Sequence, residues 1–173
     1  GNIAYNEQAP EGAAEKEDKN MWEKVCCVTG HRDIPADKME YVARQLEQEV
    51  ELAIREGYTH FISGFARGAD LLFAQAVAAQ KDKGAKLVLE AAIPYRGRLY
   101  SREEGFQQLL GRCDRITVVS EEYFPGCYMR RNRYMVDKAR RVVAVYDGRK
   151  GGGTGATVAY AQKMSRQLRV IWL

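Results

Sequence analysis

The sequence predicts one α/β domain: a mainly parallel sheet of about six strands, flanked by helices in a three-layer arrangement. Three observations predict it. Short apolar runs, such as Val25–Val28 and Val142–Tyr146, alternate with longer stretches of helical periodicity along the chain. Such runs are continuously apolar, as expected of strands buried on both faces of a parallel sheet. Three glycine-bearing turns, Thr29-Gly30-His31-Arg32, Ser63-Gly64-Phe65-Ala66-Arg67-Gly68-Ala69-Asp70 and Gly151-Gly152-Gly153-Thr154-Gly155-Ala156-Thr157, each follow an apolar run and precede a helical pattern. At 173 residues, the chain fits one domain that buries roughly 70% of its unfolded surface.

Each element has a local reason. Residues 1–21 are polar and almost free of large apolar groups, which predicts a disordered tail ahead of a domain over residues 22–173. Trp22–Thr29 reads as the first strand. Ala36–Glu56 reads as a helix because Met39, Val42, Leu46, Val50 and Ile54 recur at three- and four-residue steps, with Gly57 as its stop. Tyr58–Ser63 is the second strand, and an alanine-rich helix follows from Asp70 to Lys83, with Asp70 as its cap. Lys86–Ile93 is the third strand. Pro94 breaks the pattern, and Ser101 with Glu104 forms a capping box that opens a helix to about Cys113. Arg115–Ser120, Arg141–Tyr146 and Leu168–Leu173 complete the strands, with helices over Cys127–Ala139 and Thr154–Arg166 between them.

Composition excludes several classes. Hydrophobic residues make up 46% and charged residues 29%, an ordinary soluble balance. No apolar run approaches the ~20 residues of a membrane span, and no signal-peptide pattern is present, so the expectation is a cytoplasmic protein without a membrane partner. Adjacent Cys26 and Cys27 point to opposite faces of a strand, and only His31 and His60 add imidazoles, so no metal site is expected. His60, inside a strand, reads as a structural residue. A G-x-G-x-x-G run with an acidic residue about 20 positions on is absent, which argues against a conventional NAD dehydrogenase. No resident cofactor is expected.

Formal net charge is +4, but residues 22–173 alone carry +7. Eight bases crowd Cys127–Lys150, among them Arg130, Arg131, Arg133 and Arg149, against Asp137 and Asp147 only. A local positive field of this kind attracts phosphate, whether of a small molecule or of a nucleic acid.

Right-handed crossovers carry every strand-to-helix loop to the carboxyl edge of the sheet, where open α/β sheets bind ligands. The three turns therefore converge there. Gly30, Gly64, Gly152, Gly153 and Gly155 would let backbone N–H groups approach phosphate oxygens, assisted by the positive end of the next helix. Arg131 would grip a phosphate through two N–H groups. Ser63 and Thr154 offer hydroxyls, and His31 and Arg32 offer donors beside the first turn. Tyr95 or Tyr123 would stack on a base. Arg67 and Asp70, three residues apart, can also pair with each other. Asn132 either contacts the ligand or braces loop backbone.

The run Ser63-Gly-x-Ala-Arg-Gly-x-Asp70, followed by Arg131-Asn132-Arg133 and Gly152-Gly153-Thr154-Gly155, resembles the SLOG superfamily, which joins the DNA-processing Smf/DprA proteins to the LOG phosphoribohydrolases. Thr29-Gly30-His31-Arg32 and the compact length look most like its YpsA-type family, over about Val25 to Leu173. The resemblance implies a Rossmann-like fold that binds a nucleotide-derived ligand: a nucleoside phosphate, ADP-ribose or an NAD derivative. It carries Gly30, Ser63, Gly64, Arg67, Gly68, Asp70, Arg131, Asn132, Gly152, Gly153, Thr154 and Gly155 as pocket residues. It also implies a homo-oligomer, because relatives assemble.

Departures from the relatives bear on catalysis. Ala159 stands where LOG enzymes carry their catalytic glutamate, and Asn132 replaces the lysine that follows their arginine. Glycosidic cleavage needs a carboxylate, so hydrolysis would fall to Asp70 or Asp147, with His31 another candidate base. Sensor, nucleotide hydrolase and DprA-like single-stranded DNA binder remain three readings of the same residues.

Overall fold

A computed structural model describes residues 24–173; the expected tail, and Trp22 of the first strand, lie outside the described residues. Six strands run β1 (Lys24–Gly30), β2 (Tyr58–Ser63), β3 (Val88–Ile93), β4 (Arg115–Val118), β5 (Arg141–Tyr146) and β6 (Gln167–Trp172). All neighbours pair in parallel, in the order β4-β3-β2-β1-β5-β6. The chain winds outward from β1 to β4, then returns past β1 to lay down β5 and β6. Strand order therefore reverses between β1 and β5, whose register pairs Gly30 with Val145.

Five helices cover the sheet: α1 (Met39–Arg55), α2 (Ala69–Asp82), α3 (Phe106–Leu110), α4 (Cys127–Lys138) and α5 (Gly152–Lys163). Side chains alternate across each strand, and the core divides accordingly. Cys26, Val28, Phe61 and Val143 pack under α1, α2 and α3, while Cys27, Ile62, Ala92 and Val142 pack under α4 and α5. The adjacent cysteines thus serve two different cores, as their alternation predicts. Cys127 is wholly buried at the start of α4. Among the described residues, no helix is long and apolar enough to cross a membrane, and no group of His, Cys, Asp and Glu has the makings of a metal site.

Two local readings need correction. Ala36–Lys38 is a 3-10 turn, with α1 proper beginning at Met39. The capping box does not form. Ser101 Oγ accepts the Glu103 amide at 3.2 Å, and Gly105 adopts a left-handed backbone, φ 81°, which interrupts the run before Phe106. Only a five-residue helix follows, held by the edge-on packing of Phe106 on Phe65.

The two ends of the sheet differ in chemistry. At the amino end, buried Arg141 stacks on Tyr58 and bonds to Glu56 and Gln167, closing that edge with polar side chains. Within the α4 face lies Glu90, 1% exposed. Its carboxylate accepts from Tyr134 at 2.6 Å, Thr117 at 3.1 Å and His60 Nε2 at 2.8 Å. Burial pushes the carboxyl upward, but these donors outweigh it and hold Glu90 below its ordinary value. His60 is thus a satisfied structural residue.

Because its folded value is depressed, Glu90 contributes stability that is present at neutral pH and lost as pH falls through that value. Removing the acceptor strands one buried donor, His60, and two part-buried ones, Tyr134 and Thr117. Glu90→Ala should cost about 3–5 kcal/mol in urea unfolding at neutral pH, and a cost below about 1 kcal/mol would show the cluster to be dispensable.

Candidate functional site

A cavity of about 310 Å³ opens at the carboxyl edge of the sheet, at the reversal between β1 and β5. Its walls come from all three glycine-bearing turns and from α4: residues 28–32, Ala66, Asp70, Tyr128, Arg131, Asn132, Met135, Arg149 and residues 151–154. The expected convergence of distant segments is therefore present in the fold.

The glycines serve two purposes. A Cβ on Gly30 would lie 2.5 Å from Ala69 Cβ, and one on Gly64 would lie 2.8 Å from the Arg131 guanidinium carbon. One on Gly155 would meet the Arg149 carbonyl at 2.6 Å. Gly68 has φ 83°, and its Cβ would sit 2.5 Å from the Arg32 carbonyl oxygen. These four glycines let protein segments touch each other. Gly151, Gly152 and Gly153, by contrast, face open space. They begin α5, where no side chain caps the helix and the first amides find no acceptor among the described residues. Thr154, 9% exposed, lines the cavity beside them.

Arg131 reaches the cavity from α4 and is 3% exposed. Its Nη1 donates to the carbonyls of Gly64 and Ala92 (3.1 Å to the latter), at the ends of β2 and β3. Its Nε donates to Asn132 Oδ1 at 2.9 Å. Only Nη2 lacks an acceptor among the described residues, so the expected two-pronged grip on phosphate is confined to the two N–H bonds of that one nitrogen. Burial lowers the guanidinium from its ordinary value, opposed chiefly by Asp70. Asn132 Nδ2 donates to Thr157 Oγ1 at 3.0 Å, and Thr157 donates to the Gly153 carbonyl at 2.8 Å. Asn132 thus braces α4 against the start of α5, while still lining the cavity.

Asp70 does not cap α2 in the expected way. Its Oδ2 accepts the Ala66 amide at 3.3 Å, back across the turn. Burial pushes its carboxyl up to about 6, with Arg131, the Ala66 amide and Arg32 pulling the other way. Ser63 is spent within the turn: its hydroxyl donates to the Asp70 carbonyl at 2.8 Å and accepts the Phe65 amide at 3.2 Å. Arg67 points away, pairing with Asp33 at 2.7 Å rather than with Asp70.

The first and third turns meet through His31. Its Nε2 lies 3.1 Å from Asp147 Oδ1 and 3.3 Å from the Asp147 amide nitrogen. The ring nitrogen accepts from that amide when unprotonated and donates to the carboxylate when protonated. Asp147 is held near 2, first by the Arg149 amide and then by the Arg149 side chain and His31.

Tyr95 packs against Tyr123 and Tyr128, at ring distances of 5.5 and 6.3 Å, and does not line the cavity. Tyr128 lines it instead. Arg32 stacks over its ring at 4.8 Å, and Arg131 lies 5.7 Å from it. Tyr128 and Arg149 are the principal wall residues absent from the sequence-based set. Tyr128 stands three positions before Arg131, so one helical turn brings both to the same wall, a spacing that was available in the sequence. Ala159 is exposed and outside the cavity walls.

Fold and site together define a doubly wound α/β protein with a cavity at its switch point. The chain belongs to the YpsA-type SLOG family: the YpsA family model, described as the YspA SLOG family, matches residues 26–171. A curated relative is the uncharacterised SPbeta prophage-derived protein YoqJ of Bacillus subtilis (strain 168). It is 30% identical over 129 residues, spanning 65% of this chain and 75% of YoqJ. Among solved structures, DNA processing protein A from Helicobacter pylori, described for its single-stranded DNA binding mode, superposes with a TM-score of 0.64. It is 16% identical, over 88% of this chain and 67% of that one. The X-ray structure of TM1055 superposes with a TM-score of 0.53 at 16% identity, over 84% of this chain and 72% of that one.

Asp70 makes ligand-free stability depend on pH. Its folded value lies above the unfolded one, so its contribution is fully present below about pH 4 and lost as pH rises through about 6. Relative to Asp70→Asn, the wild type should lose roughly 2–3 kcal/mol of unfolding free energy between about pH 4 and about pH 7. Parallel stability profiles for the two proteins would show that the carboxyl titrates normally.

Proposed function

We propose that the cavity binds a nucleotide-derived small molecule, a nucleoside phosphate, ADP-ribose or an NAD derivative, with a phosphate seated on the start of α5. The observation that carries this reading is the convergence of unpartnered amides at Gly152–Thr154 with Arg131 Nη2 in one cavity. Helix starts with free N–H groups favour phosphate, and Arg32 and Arg149 add positive charge at the walls. Tyr128 offers an aromatic face, although Arg32 already lies across it. A base would compete with, or extend, that stack. SLOG membership supports the same class of ligand.

A second reading, single-stranded nucleic acid, draws on exposed Arg130 and Arg133 along α4 and on the fold shared with DNA processing protein A. It requires affinity that rises with oligonucleotide length and falls steeply with salt. The concave shape of the cavity, walled by three turns and α4, favours the small molecule. Turnover by the LOG route lacks its carboxylate, since Ala159 has no acid function and lies off the cavity.

Arg131→Ala is a poor test, because it also removes bonds to two strand ends. Gly153 is better: its Cβ would meet nothing within 4 Å, and an acid at a helix start is favourable to the helix. Gly153→Asp should therefore weaken binding of nucleoside monophosphates, NAD or ADP-ribose at least about tenfold by calorimetry, through charge repulsion, without lowering the Tm of the free protein. Unchanged affinity for whichever of these binds the wild type would remove the phosphate from the α5 start.

A further inference from the structure

Asp70 is a negative charge in a cavity otherwise built for anions, and its two oxygens stand in different situations. Oδ2 is engaged by the Ala66 amide. Oδ1 accepts from no donor among the described residues, and it is not sealed off by protein: Arg141 Nη1 is the one buried, unpaired side-chain atom among them. With the residue only 6% exposed and lining the cavity, Oδ1 opens onto that cavity.

Its neighbour is in the matching state. A Cβ on Gly64 would lie 2.6 Å from Asp70 Oδ2 and 2.8 Å from Arg131 Nη1, so glycine is what lets the carboxylate and the guanidinium approach. They do not close into a direct ion pair, and Arg131 keeps Nη2 free. The two side chains that meet at Gly64 thus each keep one group unused, an acceptor on Asp70 and a donor on Arg131, and both residues line the cavity.

A phosphate set directly against Asp70 would be repelled, which assigns the phosphate to the α5 end. Adjacent strands lie about 4.8 Å apart. Asp70 follows β2, α5 follows β5, and β1 alone separates those strands, so the two ends of the cavity are on the order of 10 Å apart. A sugar phosphate bridges such a gap. The group it would bring to Asp70 is a hydroxyl, which donates to the carboxylate and can accept from Arg131.

We propose that Asp70 is the specificity-determining residue of this cavity, accepting a hydrogen bond from a ribose hydroxyl and so selecting ribonucleotides over deoxyribonucleotides. The proposal rests on the small-molecule reading above and narrows it. A deoxyribose would leave Oδ1 desolvated without a donor, and a buried polar group left unpaired on binding is heavily penalised. The carboxylate thus also disfavours a DNA strand threaded through this cavity.

The test is calorimetric titration of the full chain with the four ribonucleoside 5′-monophosphates. The tightest binder is then compared with its 2′-deoxy and 3′-deoxy counterparts, in the wild type and in Asp70→Ala. The wild type should prefer the ribonucleotide over at least one deoxy form by about tenfold or more. In Asp70→Ala that ratio should shrink to within about threefold, while inorganic phosphate binds as well as before or better. Equal affinity for ribo and both deoxy forms in the wild type would overturn the assignment and leave the phosphate site standing. So would a ratio that persists in Asp70→Ala. Should that variant not fold, the wild-type ratio alone decides. No binding of any nucleotide, with Gly153→Asp also without effect, would overturn both readings together.

Discussion

The arrangement around the cavity depends on one buried cation. Arg131 leaves α4, crosses beneath the carboxyl edge of the sheet and donates to carbonyls at the ends of β2 and β3. A guanidinium so deeply enclosed is tolerated only because its charge is answered on several sides. Two carbonyl oxygens, the Asn132 amide oxygen, the Tyr128 ring and the nearby Asp70 carboxylate do this together. The same contacts position the cavity wall, so stability and binding geometry share one residue. This sharing explains why three of its five N–H donors are consumed by the protein and only those of Nη2 are left over.

Close approach is the second constraint. Gly30, Gly64, Gly68 and Gly155 bring strand ends, turns and a helix start nearer than any side chain would permit. These four draw the walls together. Gly152 and Gly153 leave the α5 amides bare toward the cavity. A glycine-rich turn can therefore be a hinge between protein segments or an opening toward a ligand. The surrounding atoms decide which.

Much of the fold was readable from the chain alone. Apolar runs at 25–28, 61–62 and 142–146, with helical spacing between them, are local patterns, and six strands and the main helices follow from them. The exceptions have local causes. Gly105 takes a left-handed conformation that cuts the Ser101 helix short, and the first turn after Pro35 tightens to 3-10 geometry. The site was read less completely. Gly30, His31, Arg32, Asp70, Arg131, Asn132, Gly152, Gly153 and Thr154 do line the cavity, whereas Ser63, Gly64, Arg67, Gly68, Tyr95 and Gly155 do not. Ser63 and Arg67 belong to the same motif as Asp70, and no motif states which of its side chains will turn inward.

Periodicity and turn composition alone thus settled the layer architecture, the parallel sheet and the edge at which the cavity forms. Those properties depend on neighbours a few residues apart and on the handedness of crossovers. Tertiary structure settled which hydrogen-bonding groups remain unused. Arg67 is taken by Asp33, Ser63 by the Asp70 backbone and Asn132 by Thr157, partners 34, 7 and 25 residues away. Whether a donor is spent or free depends on what packing brings beside it, and that is not a property of any single stretch of chain.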